Sequence, residues 1–267
     1  DPMPVRPLKS AHAVSDRTNL KESTGSFYVL NVYKGATDYN LEPGSVKFLR
    51  VIESPEKRTW VEVGRWGGQG QQNPGMNWHS FENKRILGDV PVHDDGSAYV
   101  TVPAETFVYF QLLDKDKKMI HSMRSGTMLQ PGETTGCVGC YESRHSSPAA
   151  NFATQAMKQE AEILKGQRGE QKLFNYMADV QPVFDRHCVS CHDFDGPAAK
   201  HVVLAGDRNP YFNASYVDLY VKKLVTLVGG GPAETQSPYS WGSHASRLIK
   251  VLDNGHHDVT LPPEDYN

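Results

Sequence analysis

Cys188-Val189-Ser190-Cys191-His192 constrains this chain more than any other stretch, because C-x-x-C-H is the attachment signature of a c-type haem. Thiols at that spacing reach the two vinyl groups along one porphyrin edge. The histidine that follows turns its imidazole under the iron as proximal ligand. A second C-x-x-C, Cys137-Val138-Gly139-Cys140, lies upstream, with Tyr141 standing where the histidine is expected. These two pairs use all 4 cysteines of the chain, which leaves none for structural disulfides elsewhere.

Zinc and thiol redox chemistry fit the pairs less well. A four-cysteine zinc site suits two C-x-x-C pairs, but their separation is longer than the usual ribbon spacing, and zinc does not explain His192. A thioredoxin-type redox motif expects each pair between a strand and a helix of a βαβ unit, and neither has that setting. Two covalently attached haem c groups account for the thiols and for His192 together. Such haems are attached after export, so the chain is expected to work outside the cytoplasm. It shows no signal peptide and begins at Asp1, so it reads as a processed or excised segment.

The 267 residues are enough for a sizeable core in two domains. A formal net charge of −3 gives no basic excess, which argues against nucleic acid or an anionic membrane as partner and leaves small substrates and redox partner proteins. With 23 glycines and 17 prolines the chain is rich in loops, and no apolar run is long enough to span a bilayer.

The expected fold class is α+β, a β-sandwich-like domain followed by a mostly helical, cytochrome c-like domain. Residues 1–25 are polar, proline-bearing and aperiodic, a tail or strap. Residues 26–135 form the β-rich domain. Short β-branched and aromatic runs predict strands at Phe27–Tyr33, Val46–Ile52, Trp60–Val63, Ala98–Val102, Phe107–Leu113 and Met119–Met123, with turn signals between them. The glycine-rich insert 67–79 is too long for a plain hairpin, and its Trp78 and His79 face either a haem or solvent. Residues 136–180 carry the first haem-attachment segment and a helical connection, with a helix expected over Ala153–Lys165. Residues 181–267 make the cytochrome c-like domain, with helices expected over Ala178–His187, Ser215–Val228 and His244–Leu252.

For the second haem, held by Cys188, Cys191 and His192, no methionine follows Met177, so a second histidine is the expected sixth ligand. The candidates are His201, His244, His256 and His257. His256 follows Gly255, which lets the backbone fold back over a haem face. At the first haem, held by Cys137 and Cys140, either Tyr141 or His145 reaches the iron. Tyr141 needs no extra turn of helix, while Ser146-Ser147-Pro148 ends any helix soon after His145. A five-coordinate haem there is the candidate active centre, with Tyr141 and His145 as its catalytic residues, and the second haem is the wire that feeds it.

Several segments resemble the hydrazine synthase alpha family of anammox bacteria and planctomycete relatives. They are Met76–His79, Lys84–Val90, Gly96–Tyr99, Ser122–Met128, Gln130–Glu133 up to Cys137, Gly242–Leu248 and Gly255–Val259. The resemblance implies a β-rich domain with an unusual haem c where hydroxylamine and ammonia become hydrazine, and a helical domain with a bis-histidine haem whose distal ligand falls on His256. It implies other synthase-like subunits as partners, and the periplasm or anammoxosome lumen as location. It also implies a zinc ion beside the first haem, held by the motif histidine, with a tyrosine four residues later on the iron. Here Tyr141 and His145 are exchanged relative to that pattern. The rival reading is a non-catalytic dihaem electron carrier or small-ligand (NO) binding cytochrome.

Overall fold

The computed structural model describes residues 16–35, 41–55, 83–140, 151–167, 169–209, 212–228 and 236–266. Of the sequence expectations, the strand at Trp60–Val63, the insert 67–79, Tyr141, His145 and the first fifteen residues of the tail lie outside them. The described residues are mixed α+β, 25% strand and 19% helix.

Among the described residues eight strands form two four-stranded sheets. They are β1 (Thr24–Val29), β2 (Phe48–Glu53), β3 (Arg85–Pro91), β4 (Ala98–Pro103), β5 (Val108–Leu113), β6 (Met119–Ser122), β7 (Thr134–Cys137) and β8 (Glu162–Ile163). One sheet has the order β7-β1-β4-β8, antiparallel at its centre and parallel at both edges. The other, β3-β2-β5-β6, is antiparallel throughout.

Alternation explains the layering. In β4, Ala98, Val100 and Val102 are buried while Tyr99 and Thr101 are half-buried, so the period of two turns one face inward. Phe27, Val29, Val100 and Val102 of the first sheet share one apolar cluster with Leu49, Val51, Leu87, Val108, Leu112 and Ile120 of the second. Phe27 meets Phe110 edge to face at 5.5 Å across the gap. β3 is not among the expected strands. Its alternation is broken at Gly88, which has φ 149° beside a bulge between Val51 and Ile52.

After β7 the expected helix over Ala153–Lys165 does not form. The segment makes a single 3₁₀ turn at Ala156–Lys158 and then pairs with β4 as β8. The competing partners are visible. Asp95 accepts the Gln155 amide at 2.7 Å and the Ser97 hydroxyl oxygen accepts the Ala156 amide at 3.0 Å, while Leu164 enters the sandwich cluster. Backbone donors taken by the β3–β4 turn cannot propagate a helix.

The rest of the chain has short helices, none longer than eight residues among those described, joined by irregular stretches. They are α1 (Gln181–His187, preceded by a π-helical turn at Tyr176–Val180), α2 (Val189–His192), α3 (Ala214–Val221), α4 (Arg247–Asp253) and α5 (Pro263–Tyr266). The described residues are therefore less helical here than the expected mostly helical domain. The helix expected to Val228 stops at Val221, because Lys223 takes φ 54° and returns Leu224 and Val225 to Leu219. The helix expected from His244 begins at Arg247, because Ser246 is extended and its hydroxyl donates back to the Gly242 carbonyl. A small second cluster of Phe184, Val202, Leu204 and Leu219 sits under these helices.

The two parts touch along the open edge of β6. Tyr239 donates its amide to the Ile120 carbonyl at 2.8 Å, and the Met119 amide donates to the Ser243 hydroxyl at 2.8 Å. Lys118 pairs with Asp253 at 2.6 Å and His244 lies 3.0 Å from Asp114. An edge strand covered in this way has no free ladder to offer another chain over that length. Among the described residues no helix is long and apolar enough to cross a membrane.

Candidate functional site

The first cysteine pair is held by sheet backbone. β7 lies parallel to β1 and ends at Cys137. Beyond the strand, the amides of Leu30 and Asn31 donate to the carbonyls of Cys137 and Val138, and the Cys140 amide donates to the Lys34 carbonyl at 2.9 Å. Gly139 is required by this contact, since a Cβ there would stand 2.5 Å from both the carbonyl oxygen and Cβ of Lys34. Cys137 is exposed and Cys140 is half-buried against the sandwich cluster, so the pair straddles surface and core.

An open pocket of about 240 Å³ flanks it, lined by Leu30, Asn31, Lys34, Asp95, Asn151 and Thr154. Burial pushes the Asp95 carboxyl up. Hydrogen bonds from Ser97 and the Gln155 amide outweigh this and hold it below the usual carboxylate value, so Asp95 is a fixed anion at the pocket wall. Tyr141 and His145 lie outside the described residues.

The second pair is held by helix ends. α1 starts with Pro182 in its first turn and stops at Cys188, from which α2 begins and carries Val189 to His192. The Cys188 thiol is pushed up by burial and Cys191 is exposed. His192 Nδ1 lies 3.0 Å from the Val202 carbonyl oxygen, an acceptor, so Nδ1 carries the proton in this contact and Nε2 points away from it. That is how a protein fixes the tautomer and ring angle of a metal-ligating histidine.

Facing His192 is His256, with ring centroids 5.9 Å apart and ring planes inclined by 34°. Two imidazoles bound to opposite sides of one metal ion, at about 2.0 Å per bond, have ring centres roughly 6 Å apart. The geometry thus suits an iron between the two rings. Gly255 follows the α4 C-cap residue Asn254 with φ 77° and turns the chain there, and His257, itself at φ 53°, stacks edge-on to His256 at 4.6 Å. Burial, and then the neighbouring His257 and His192, push the His256 imidazole below its ordinary value, which favours the neutral form a metal needs. Of the other expected candidates, His257 packs against His256, His201 is exposed, and His244 sits beside Asp114 at the β6 edge. Met177, the last methionine, has its sulfur taken up by the Asn213 amide at 3.0 Å.

Residue patterns give no warning of the polar hub that holds these helices together. Buried Gln181 donates to Asp185 at 2.7 Å and to the Leu204 carbonyl at 2.9 Å, and it accepts from Asn213 and Ser215. Ser215 in turn meets Tyr176, whose hydroxyl burial pushes up to about 12. A polar residue at the start of an amphipathic helix reads as surface, and only the fold shows it inside. Signal exists in one respect, namely Asn213 as a cap ahead of the Ser215 run.

Residues 44–142 match the family model described as the hydrazine synthase alpha subunit middle domain. Over that span the chain is hydrazine synthase alpha-like. That span takes in most of the sandwich together with Cys137, Cys140 and Tyr141, and leaves the second pair outside. This hydrazine synthase alpha-like chain is also similar in fold to a solved structure, Kuenenia stuttgartiensis hydrazine synthase, at 17% identity and a TM-score of 0.54. The likeness covers 75% of this chain and 34% of that one, so the chain spans about a third of its structural relative. No curated protein sequence matches it.

Proposed function

We propose that this hydrazine synthase alpha-like chain is a dihaem c-type cytochrome. In this reading Cys188 and Cys191 attach one haem whose iron is ligated by His192 and His256. Cys137 and Cys140 attach the other. The observation that carries the reading is the His192–His256 pair, 5.9 Å apart beside a C-x-x-C, with the far nitrogen of His192 already committed to Val202.

When bound, the second haem supplies one-electron transfer with little change of ligands. The protein's part is to close both faces. The Val202 carbonyl fixes the angle of His192 and Gly255 turns the chain at His256, so these two imidazoles would hold the iron and leave no position on it for a small molecule. The first site differs because Tyr141 stands in place of the motif histidine. On this reading Tyr141 would ligate the iron and His145 would hold a zinc ion, and the haem would supply a site at which small nitrogen compounds bind. Hydroxylamine and ammonia, joined to hydrazine, are the proposed substrates. Lys34 and Asp95 would then set the charge at the mouth of the adjoining pocket. Because thioether haems are attached after export, the proposed location is outside the cytoplasm, in the periplasm or anammoxosome lumen. Further synthase-like subunits and a redox protein are its proposed partners.

A pyridine haemochrome spectrum with a haem-to-protein ratio tests the reading. Two covalent haems per chain are expected. A single haem would retire the first site, and none would overturn the proposal.

A further inference from the structure

One peptide group stands between helix α3 and the imidazole of His192. Its carbonyl, that of Val202, accepts from His192 Nδ1 at 3.0 Å. Its N–H, that of Val203, donates to Asp218 Oδ2 at 2.8 Å. The two bonds lie at opposite ends of the same planar amide, so they polarise it in the same sense. A carboxylate drawing on the N–H shifts electron density toward the carbonyl oxygen and strengthens what that oxygen accepts. The amide is also fixed in place. Leu204 donates its amide to the His192 carbonyl at 2.8 Å, Ser215 donates to the Ala205 carbonyl, and Gln181 grips the Leu204 carbonyl. Asp218 is half-buried and held by α3, whose N-terminus Asn213 caps.

We propose that Asp218 is a positioning residue for the second haem: through the Val202–Val203 peptide it anchors the His192 ring and raises its electron donation to the iron. The proposal rests on the reading of His192 as an iron ligand. A histidine whose Nδ1–H is pulled harder gives more density through Nε2, which stabilises the more positive ferric iron and lowers the reduction potential. No proton leaves His192 in this arrangement. Asp218 thus plays the part of the carboxylate in a carboxylate–histidine–metal triad, with one amide inserted.

The test is redox titration of the Asp218→Asn protein with both haems in place, following the low-spin haem. Asparagine keeps an oxygen for the Val203 amide and loses the charge. The oxidised-to-reduced ratio at a fixed solution potential should fall about tenfold, at the low end for outer partners of a metal ligand, equivalent to a rise of about 59 mV. Asp218→Glu should recover most of it. Asp193→Asn removes an exposed carboxylate next to His192 whose bond is to the adjacent Phe194 amide, and serves as the charge control. A shift in Asp193→Asn as large as in Asp218→Asn would overturn the relay in favour of simple charge. An unmoved potential in Asp218→Asn would also overturn it, while the low-spin haem itself remains. Loss of the low-spin haem in the unaltered protein would instead mean that the ligand reading has failed. Should Asp218→Asn not accumulate, Asp218→Ser, which keeps a hydroxyl near the amide, is titrated in its place: a raised potential supports the relay and an unmoved one overturns it.

Discussion

The two C-x-x-C segments are the same tetrapeptide pattern set on opposite kinds of scaffold. Cys137 to Cys140 run off the end of an edge strand and are clamped by main-chain bonds to residues 30–34. Cys188 to Cys191 sit where one short helix ends and another begins, and both histidines that suit a metal stand beside them. The strand end fixes the first pair through backbone bonds to residues 30–34, and on the proposed reading an axial ligand there would come from the residues that follow. The helix pair fixes its motif histidine through a carbonyl ten residues on, and receives the second from a glycine turn much further along. A spacing motif thus names a group to be held. The local scaffold decides how closed the result is.

The largest expected effect falls on the helical site. His256→Ala should remove the low-spin signature from about half of the haem absorbance and leave the other half as it was. An unchanged low-spin spectrum would make His201, His244 or His257 the distal ligand and undo the contrast with the first site.

Next come the two glycines beside the motifs. A Cβ at Gly139 would lie 2.5 Å from Lys34, and a Cβ at Gly196 would lie 2.4 Å from the Cys191 carbonyl oxygen. Each glycine→alanine change is expected to cost roughly 1–3 kcal/mol in urea unfolding. The contrast sharpens if Gly139→Ala loses stability mainly in the sandwich signal and Gly196→Ala mainly in the second-haem signal. Identical losses in both signals would show one cooperative unit.

A smaller effect separates the sheets from the helices by pH. Burial pushes the Asp89 carboxyl up, but the bidentate bond and charge of Arg50, with Lys117 beside it, hold it below the ordinary value. A depressed carboxyl stabilises the fold above its unfolded value, near pH 4, and that contribution is lost as pH falls through the folded value. Asp89→Asn should therefore cost about 1–2 kcal/mol at pH 7 and flatten the acid limb of the stability curve. An unaltered acid limb would show that the pair contributes nothing to it.

Much of this is legible in the residues. The runs around Phe27, Val51, Val100, Leu112 and Ile120 read as strands because a half-buried sheet prints its period of two directly into sequence. Gly255 nominates His256 by standing ahead of it, and the fold brings that residue to His192. Ala153–Lys165 reads as helix although its apolar residues serve a sheet edge, because the decisive partners, Asp95 and Ser97, are remote in sequence. β3 escapes the pattern because Gly88 and its bulge break the alternation. Gln181 and Asp218 are invisible for the same reason as Asp95. Their partners are remote in sequence, the Leu204 carbonyl with Asn213 and Ser215 for Gln181 and the Val203 amide for Asp218, and no local pattern of side chains records where such groups will point.

The contrast between a closed and an open site is tested most directly by titrating cyanide into the oxidised protein while following the Soret band. About half of the haem absorbance should respond, from the site at Cys137 and Cys140, while the haem between His192 and His256 stays unchanged. A response from all of the absorbance would contradict the closed second site, and no response at all would contradict the open first one.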